Sequence, residues 1–198
     1  MKKKAAFLDR DGVINERAAE GSYITKWEEF HILPGVAESV ALLNAAAFCV
    51  LIVTNQRCVA KGLMTTRDLE ILHERMVGHL TRSGAKIDGI YYCPHELDAL
   101  CECRKPRPGM LLEAARANHI ELSSSWMIGD SDIDIDAGRI AGCKTARIVA
   151  SIGTNEKPDQ HRITRIPADI ETYSLLDAVK QILNSQATSR RHCQPNVA

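Results

Sequence analysis

A chain of 198 residues with 25 Lys+Arg and 25 Asp+Glu carries no net charge, which argues against nucleic acid or an anionic membrane surface as a partner. Its length and 45% hydrophobic content suit one domain able to bury roughly 70% of its unfolded surface. No stretch reaches the ~20 apolar residues of a membrane span, so no membrane partner is expected.

Short apolar runs alternate with amphipathic stretches, the pattern of a parallel sheet with crossover helices. After Met1-Lys2-Lys3-Lys4, the apolar run Ala5 to Leu8 is too short for a leader's hydrophobic region and reads as the first strand. Between Gly12 and Leu33 lies an insert with Tyr23, Trp27, Phe30 and Ile32, too aromatic for a linker and expected to form a short flap over the site. Pro34 to Ala47 reads as a helix with proline in its first turn. Phe48 to Thr54 is apolar on both parities, as a strand buried on both faces should be. Thr65 opens a long helix to about Ser83, and Ile87 to Tyr92 forms the third strand. Pro108 to Asn118 is a helix, Trp126 to Ile128 the fourth strand, and Ile133 to Ala141 a helix closed by Gly142. Lys144 to Val149 is the fifth strand, 153–166 is loop-like, and Leu175 to Leu183 is the last helix. Residues 188–198 lack periodicity and are expected to be a disordered tail, leaving 1–187 as one domain. The order predicts an α/β fold with a doubly wound, mainly parallel, Rossmann-like sheet.

Cys93-Pro94-His95 and Cys101-Glu102-Cys103 place three thiolates and one imidazole in a polar loop after the third strand. Buried cysteines such as Cys49 and Cys143, in apolar surroundings, need no further role, but a hydrophobe has no reason to recur at paired i, i+2 spacings in such a loop. Four such ligands close a tetrahedral Zn²⁺ shell with no open position, which makes a structural staple rather than a catalyst. Seven cysteines is an odd count with no disulfide framework, which points to a reducing, cytoplasmic setting. Whatever chemistry the loop serves lies in what it positions, namely Arg104 and Lys105.

In a doubly wound sheet, ligands bind beyond the carboxyl ends of the strands. Those ends read Asp9-Arg10-Asp11-Gly12, Thr54-Asn55-Gln56, the loop to Arg104-Lys105-Pro106, and Gly129-Asp130-Ser131-Asp132-Ile133-Asp134. Any one of them could be a cap or a turn; four together point to a phosphate site. Asp9, Asp11 and Asp130 offer the oxygen ligands Mg²⁺ prefers. A carboxylate nucleophile needs such a cation, because two like charges about 4 Å apart repel by about 4 kcal/mol at an effective dielectric of about 20. Lys105 can share that task, and Thr54 and Asn55 supply neutral donors.

The motifs Asp9-x-Asp11, Thr54, Lys105 and Gly129-Asp130…Asp134 resemble those of the haloacid-dehalogenase-like phosphatase superfamily over roughly residues 5–150. Phe7 to Gly12, Asp88 to His95 and Cys103 to Met110 look most like the zinc-loop branch that acts on heptose bisphosphates, beside its histidinol-phosphate relatives. The resemblance implies a monomeric, Mg²⁺-dependent phosphomonoesterase that removes the 7-phosphate of a heptose 1,7-bisphosphate. It implies attack by Asp9 to give an aspartyl-phosphate. Asp11 is then the general acid and base, and Asp9, the Asp11 carbonyl and Asp130 are the Mg²⁺ ligands. Thr54 and Lys105 bind phosphoryl oxygens. Substrate contacts are expected from Asn55, Gln56, Arg57 and Arg104, the last suited to a second phosphate by its planar fork.

Asp134 either meets Lys105 and the metal shell or caps the following helix, and Asp132 reads as solvated. Arg57 is either a phosphate contact or a surface arginine. Cys58 stands where similar enzymes carry glycine, and so raises a question of backbone strain and of oxidation. Ser131 stands where a lysine is common. Histidinol phosphate is the competing substrate, and a catalytically silent zinc-bound interaction module the competing class.

Overall fold

The sheet takes its order from how its strands are buried. The computed structural model describes residues 2–149 and 167–191, which form a six-stranded parallel sheet in the order β3-β2-β1-β4-β5-β6. Its strands are β1 (Lys4–Leu8), β2 (Phe48–Asn55), β3 (Gly89–Cys93), β4 (Trp126–Gly129), β5 (Lys144–Ile148) and β6 (Ile170–Thr172). The helices are α1 (Val36–Ala45), α2 (Thr66–Arg82), α3 (Gly109–Asn118), α4 (Asp132–Ala141) and α5 (Leu175–Arg191).

Alternate side chains of the central strands go to opposite faces, and each face meets its own helices. Ala6, Leu8, Val50, Ile52, Trp126 and Ile128 pack with residues of α1, α2 and α5. Ala5, Phe7, Leu51, Val53 and Met127 pack with Met110, Leu111 and Ala114 of α3 and Ala137 and Ala141 of α4. Both faces are dry, which is why β2 reads as an unbroken apolar run. Cys49 and Cys143 belong to the second of these clusters, as expected of ordinary core thiols.

The first four predicted helices hold with small shifts at their ends, and the last runs eight residues further than expected. Gly35 is the N-cap of α1 at φ 76°, so that helix begins at Val36 rather than Pro34. The Thr65 hydroxyl accepts from the Asp68 N–H and the Asp68 carboxylate accepts from Thr65, a reciprocal cap that fixes the start of α2. Strand β6 was not anticipated, since Ile-Glu-Thr is too short to show a period, but it pairs with β5. Helix α5 continues to Arg191, so 188–191 are helical and not tail; the expected loop 153–166 lies outside the described residues. Among the described residues, two other than glycine, Ala47 (φ 60°) and His119 (φ 56°), adopt left-handed backbone. Ala47 immediately precedes β2, and the His119 carbonyl accepts from the Lys3 N–H just before β1, at the amino-terminal edge of the sheet.

Helix α4 lies tight on the sheet at Gly138, where an added Cβ would stand 2.5 Å from Met127 Cβ and 3.0 Å from Thr145 Cγ2. Neither neighbour can yield without moving a strand. Gly138→Ala is therefore expected to cost about 1–3 kcal/mol, the usual range for overpacking, read as a lower urea midpoint at unchanged slope.

Candidate functional site

The chain runs from β1 to one side of the sheet and returns to β4 on the other, so the switch point lies between β1 and β4. Asp9 follows β1, and Asp130 follows β4. The Asp9 N–H donates to the Ile128 carbonyl at 2.9 Å, which keeps the chain in register beyond the last strand residue. Gly12, at φ 94°, turns the loop; a Cβ there would lie 1.8 Å from Asp130 Oδ2, so its missing side chain makes the space this carboxylate fills.

Carboxylate oxygens of Asp9, Asp130 and Asp134 lie within 4.8 Å of one another and could hold a metal ion. Lys105 Nζ stands among them, 2.8 Å from Asp9 Oδ1, 2.6 Å from Asp134 Oδ1 and 2.8 Å from the Val53 carbonyl. The contacts to Asp9 and the Val53 carbonyl are hydrogen bonds, and the one to Asp134 is an ion pair. Burial works against that charge, but Asp134 and Asp9 outweigh it and hold the lysine above its usual range. Asp134 does both things considered for it: Oδ1 meets Lys105 while Oδ2 accepts from the Ser131 N–H at 3.1 Å and caps α4.

One lysine does not neutralise three carboxylates. Burial, set against Lys105 and reinforced by Asp134, pushes Asp9 up to about 6. Burial and the Asp9 charge push Asp130 up to about 7, even though Arg17 of the flap reaches it, with Nε 2.5 Å from Oδ2 and Nη2 2.8 Å from Oδ1.

Asp11 faces a different environment. Its carboxylate accepts from Arg10 at 2.9 Å, from Asn15 Nδ2 at 2.9 Å and from Gln56 Nε2 at 2.9 Å. Burial raises its proton affinity, but Arg10, Asn15 and Gln56 prevail and bring it below the usual carboxylate value. Arg10 is itself 1% exposed, lies 5.6 Å from the centre of the Phe30 ring and meets His73 Nε2 at 3.2 Å. Burial and Arg10 push His73 down to about 3, so its neutral ring accepts from the guanidinium.

The Cys93, His95, Cys101 and Cys103 ligand atoms also lie within 4.8 Å of one another and could hold a metal ion. Beyond this cluster the chain turns to Lys105, whose backbone is gripped by Asn55. The Asn55 Oδ1 accepts from the Lys105 N–H at 3.1 Å, and its Nδ2 donates to the Lys105 carbonyl at 3.1 Å. At Gly109 a Cβ would stand 2.2 Å from the Glu102 carbonyl oxygen, so the loop closes directly onto the start of α3.

Most expected site residues converge, but not all face outward. Gln56 is 3% exposed and bridges Asp11 to Thr54 Oγ1 (2.8 Å), so it joins protein groups rather than presenting itself to a ligand; Asn55 does the same for Lys105. Arg57 is ion-paired with Glu96 of the cysteine loop, and Arg104 donates to the His95 carbonyl at 3.3 Å. Asp132 is paired with Arg147 rather than solvated. Cys58 has no positive φ; it is buried, with Met64 Sδ at 3.5 Å, and burial raises its thiol, which answers both the strain and the oxidation questions. Sequence reading missed Arg17 and His73. His73 had a readable signal, since it lies in the buried stripe of α2 with Leu69, Leu72, Met76 and Leu80. Arg17 had none, because its partner is 113 residues away.

Comparison with known proteins shows the family to which this chain belongs. A family model described as HAD-hydrolase-like matches residues 102–173. The D-glycero-beta-D-manno-heptose-1,7-bisphosphate 7-phosphatase of Rhodopseudomonas palustris is 42% identical over 148 residues, 71% of this chain and 81% of that protein. The chain belongs to the haloacid-dehalogenase-like phosphatases. Another relative among these phosphatases, the D-glycero-alpha-D-manno-heptose-1,7-bisphosphate 7-phosphatase of Mycobacterium bovis, is 40% identical over 74% of this chain and 78% of its own length. In fold, the phosphatase resembles the D,D-heptose 1,7-bisphosphate phosphatase of B. bronchiseptica, solved with magnesium and phosphate. The TM-score is 0.80 at 32% identity, over 92% of this chain and 99% of that one.

The raised Asp9 and Asp130 predict how stability depends on pH. Without divalent cation, Asp9 and Asp130 hold protons in the folded protein between about pH 4 and 7 that the unfolded chain has lost. His73, pushed down to about 3, lacks one that the unfolded chain keeps up to about 6.5. The two carboxylates outweigh the one histidine, so stability falls as pH rises to about 7 and beyond. In EDTA, the unfolding free energy from urea titration should be higher at pH 5.5 than at pH 8, by about 1–2 kcal/mol at 1.36 kcal/mol per pKa unit. Asp130→Asn should flatten that difference.

Proposed function

We propose that this phosphatase removes the 7-phosphate of a D-glycero-D-manno-heptose 1,7-bisphosphate through an aspartyl-phosphate on Asp9. The observation that carries the mechanism is the buried Asp9–Lys105–Asp134 contact, with Asp130 beside it, at the switch point of the sheet. The substrate rests on the relatives, whose names include both anomers.

The donor set fits a hard divalent cation: three crowded carboxylates, two with raised proton affinity, ask for more positive charge than Lys105 supplies. Asp9 and Asp130, with the Asp11 main-chain carbonyl, would hold Mg²⁺, and Asp134 lies within reach of the same point. When bound, Mg²⁺ supplies positive charge against the phosphoryl oxygens.

Asp9 attacks phosphorus while Lys105, on its Oδ1, fixes the carboxylate and faces the incoming charge. Thr54 Oγ1 accepts from Gln56, which leaves its proton to donate to a phosphoryl oxygen. Asp11 carries the proton. Its neighbours favour the ionised form, suited to taking a proton from water in the second step, and the substrate dianion raises its proton affinity for the first. Arg104, at the rim, recognises the remote phosphate, with Arg57 held near it by Glu96 of the same loop.

The cysteine cluster is read as structural zinc. In a tetrahedral site with Zn–S of about 2.3 Å the sulfurs stand about 3.8 Å apart, and Cys93 Sγ lies 3.8 Å from Cys101 Sγ. His95 Nδ1 lies 3.5 Å from Cys93 Sγ and 3.2 Å from Cys103 Sγ. No disulfide joins the six cysteines among the described residues, which is in keeping with a reducing, cytoplasmic setting, and no described helix is long and apolar enough to cross a membrane. We read the enzyme as a monomer.

Asp9→Asn should reduce phosphate release by about a thousandfold or more with the fold intact; release at the wild-type rate would end the aspartyl-phosphate mechanism. Across heptose 1,7-bisphosphate, histidinol phosphate and fructose 1,6-bisphosphate, kcat/KM should be highest for the first, and a preference for histidinol phosphate would replace the substrate. Cys101→Ser should lower bound zinc from one equivalent by elemental analysis and reduce activity with it, because the loop then holds Lys105 less well.

A further inference from the structure

Arg17 is an unusual partner for Asp130. Its side chain is 56% exposed, on a flap, while the Asp130 side chain it holds is 10% exposed. It makes two contacts to one carboxylate, the fork geometry in which a guanidinium does best. It also lies close over the turn, since a Cβ on Gly12 would stand 3.1 Å from Arg17 Nε. Arg10, in the same loop after β1, is by contrast wholly buried and committed to Asp11 and His73.

A charge count shows what Arg17 is for. Asp9, Asp130 and Asp134 carry three negative charges and Lys105 one positive, so one divalent cation completes the balance. Arg17 is then in surplus beside a centre that must receive a phosphate dianion. The carboxylate it holds lies within 4.8 Å of the Asp9 oxygens, so a short swing of this exposed side chain brings it to a ligand seated on Asp9.

We propose that Arg17 exchanges partners: it occupies Asp130 until a divalent cation displaces it, and then binds the substrate's reacting phosphate. The proposal rests on the phosphatase reading above and adds a flap residue to the substrate site. It makes the flap's position over the site depend on the cation, through one ion pair that spans 113 residues of sequence.

The exchange gives one substitution two effects of opposite sign, which a merely structural role would not. Isothermal titration of the EDTA-treated, dialysed full chain with Mg²⁺ alone should show Arg17→Ala binding about fivefold tighter than wild type, the competitor being gone. Titration of the Mg²⁺-saturated protein with inorganic phosphate should show the same variant binding about fivefold weaker. Arg17→Lys keeps the charge and should lie between wild type and Arg17→Ala in both titrations. Unchanged or weaker Mg²⁺ binding by Arg17→Ala, or unchanged phosphate binding, overturns the exchange. Asp130→Asn separates this from the parent reading: if it binds Mg²⁺ as well as wild type, the assignment of the cation to Asp130 fails first.

Discussion

A buried ammonium shared between two carboxylates governs this end of the molecule. Lys105 cannot leave the Asp9–Asp134 pair without stranding charge in a place almost closed to water, and they cannot lose it without repelling each other. Such an arrangement is weak as a source of stability but strong as a positioning device. It sets the distance between Asp9, just after β1, and Asp134, in the first turn of α4, with an atom from a third segment between them. The Val53 carbonyl draws β2 into the same point, so four parts of the chain are fixed by one nitrogen.

That constraint explains the surrounding architecture. Lys105 lies on no strand or helix, so its backbone must be held by other means, and the structure uses three. Asn55 pairs with both its N–H and its carbonyl, as a neighbouring strand would. Gly109 lets the loop close on α3, and the Cys93–Cys103 cluster brings the loop against the last residue of β3. The glycines at 12 and 129 belong to the same economy of space. A Cβ at Gly129 would fall 2.4 Å from the Asp134 carboxyl carbon, so the carboxylates converge because backbone, not side chain, lies beneath them.

The sheet, its strand ends and the residues that meet there were legible because each depends on local pattern. Apolar runs at both parities mark doubly buried strands, and polar residues immediately after them mark the ligand edge. Paired cysteine spacings likewise announce themselves within one loop. What was not legible depended on tertiary approach. Gln56 looks in sequence like any polar residue after a strand, yet it is turned inward by having two acceptors, Asp11 and the buried Thr54. Asp134 carries two roles because each of its oxygens meets a different segment. Strand β6 and the last turns of α5 escaped for a simpler reason, since their sequences are short or polar and only pairing or packing makes them regular.

Strain in the backbone is distributed unevenly. The left-handed residues at the ligand edge include Gly12, for which that conformation is cheap, whereas Ala47 and His119 hold it with a Cβ at roughly 1–2 kcal/mol each. Both lie at the amino-terminal edge of the sheet, a strand's length from the carboxylates. The fold therefore keeps a reserve of unclaimed stability where no chemistry is done. Glycine at 47 or 119 could relieve it, so that a lineage or an engineer could raise the melting temperature of this enzyme without touching a catalytic distance.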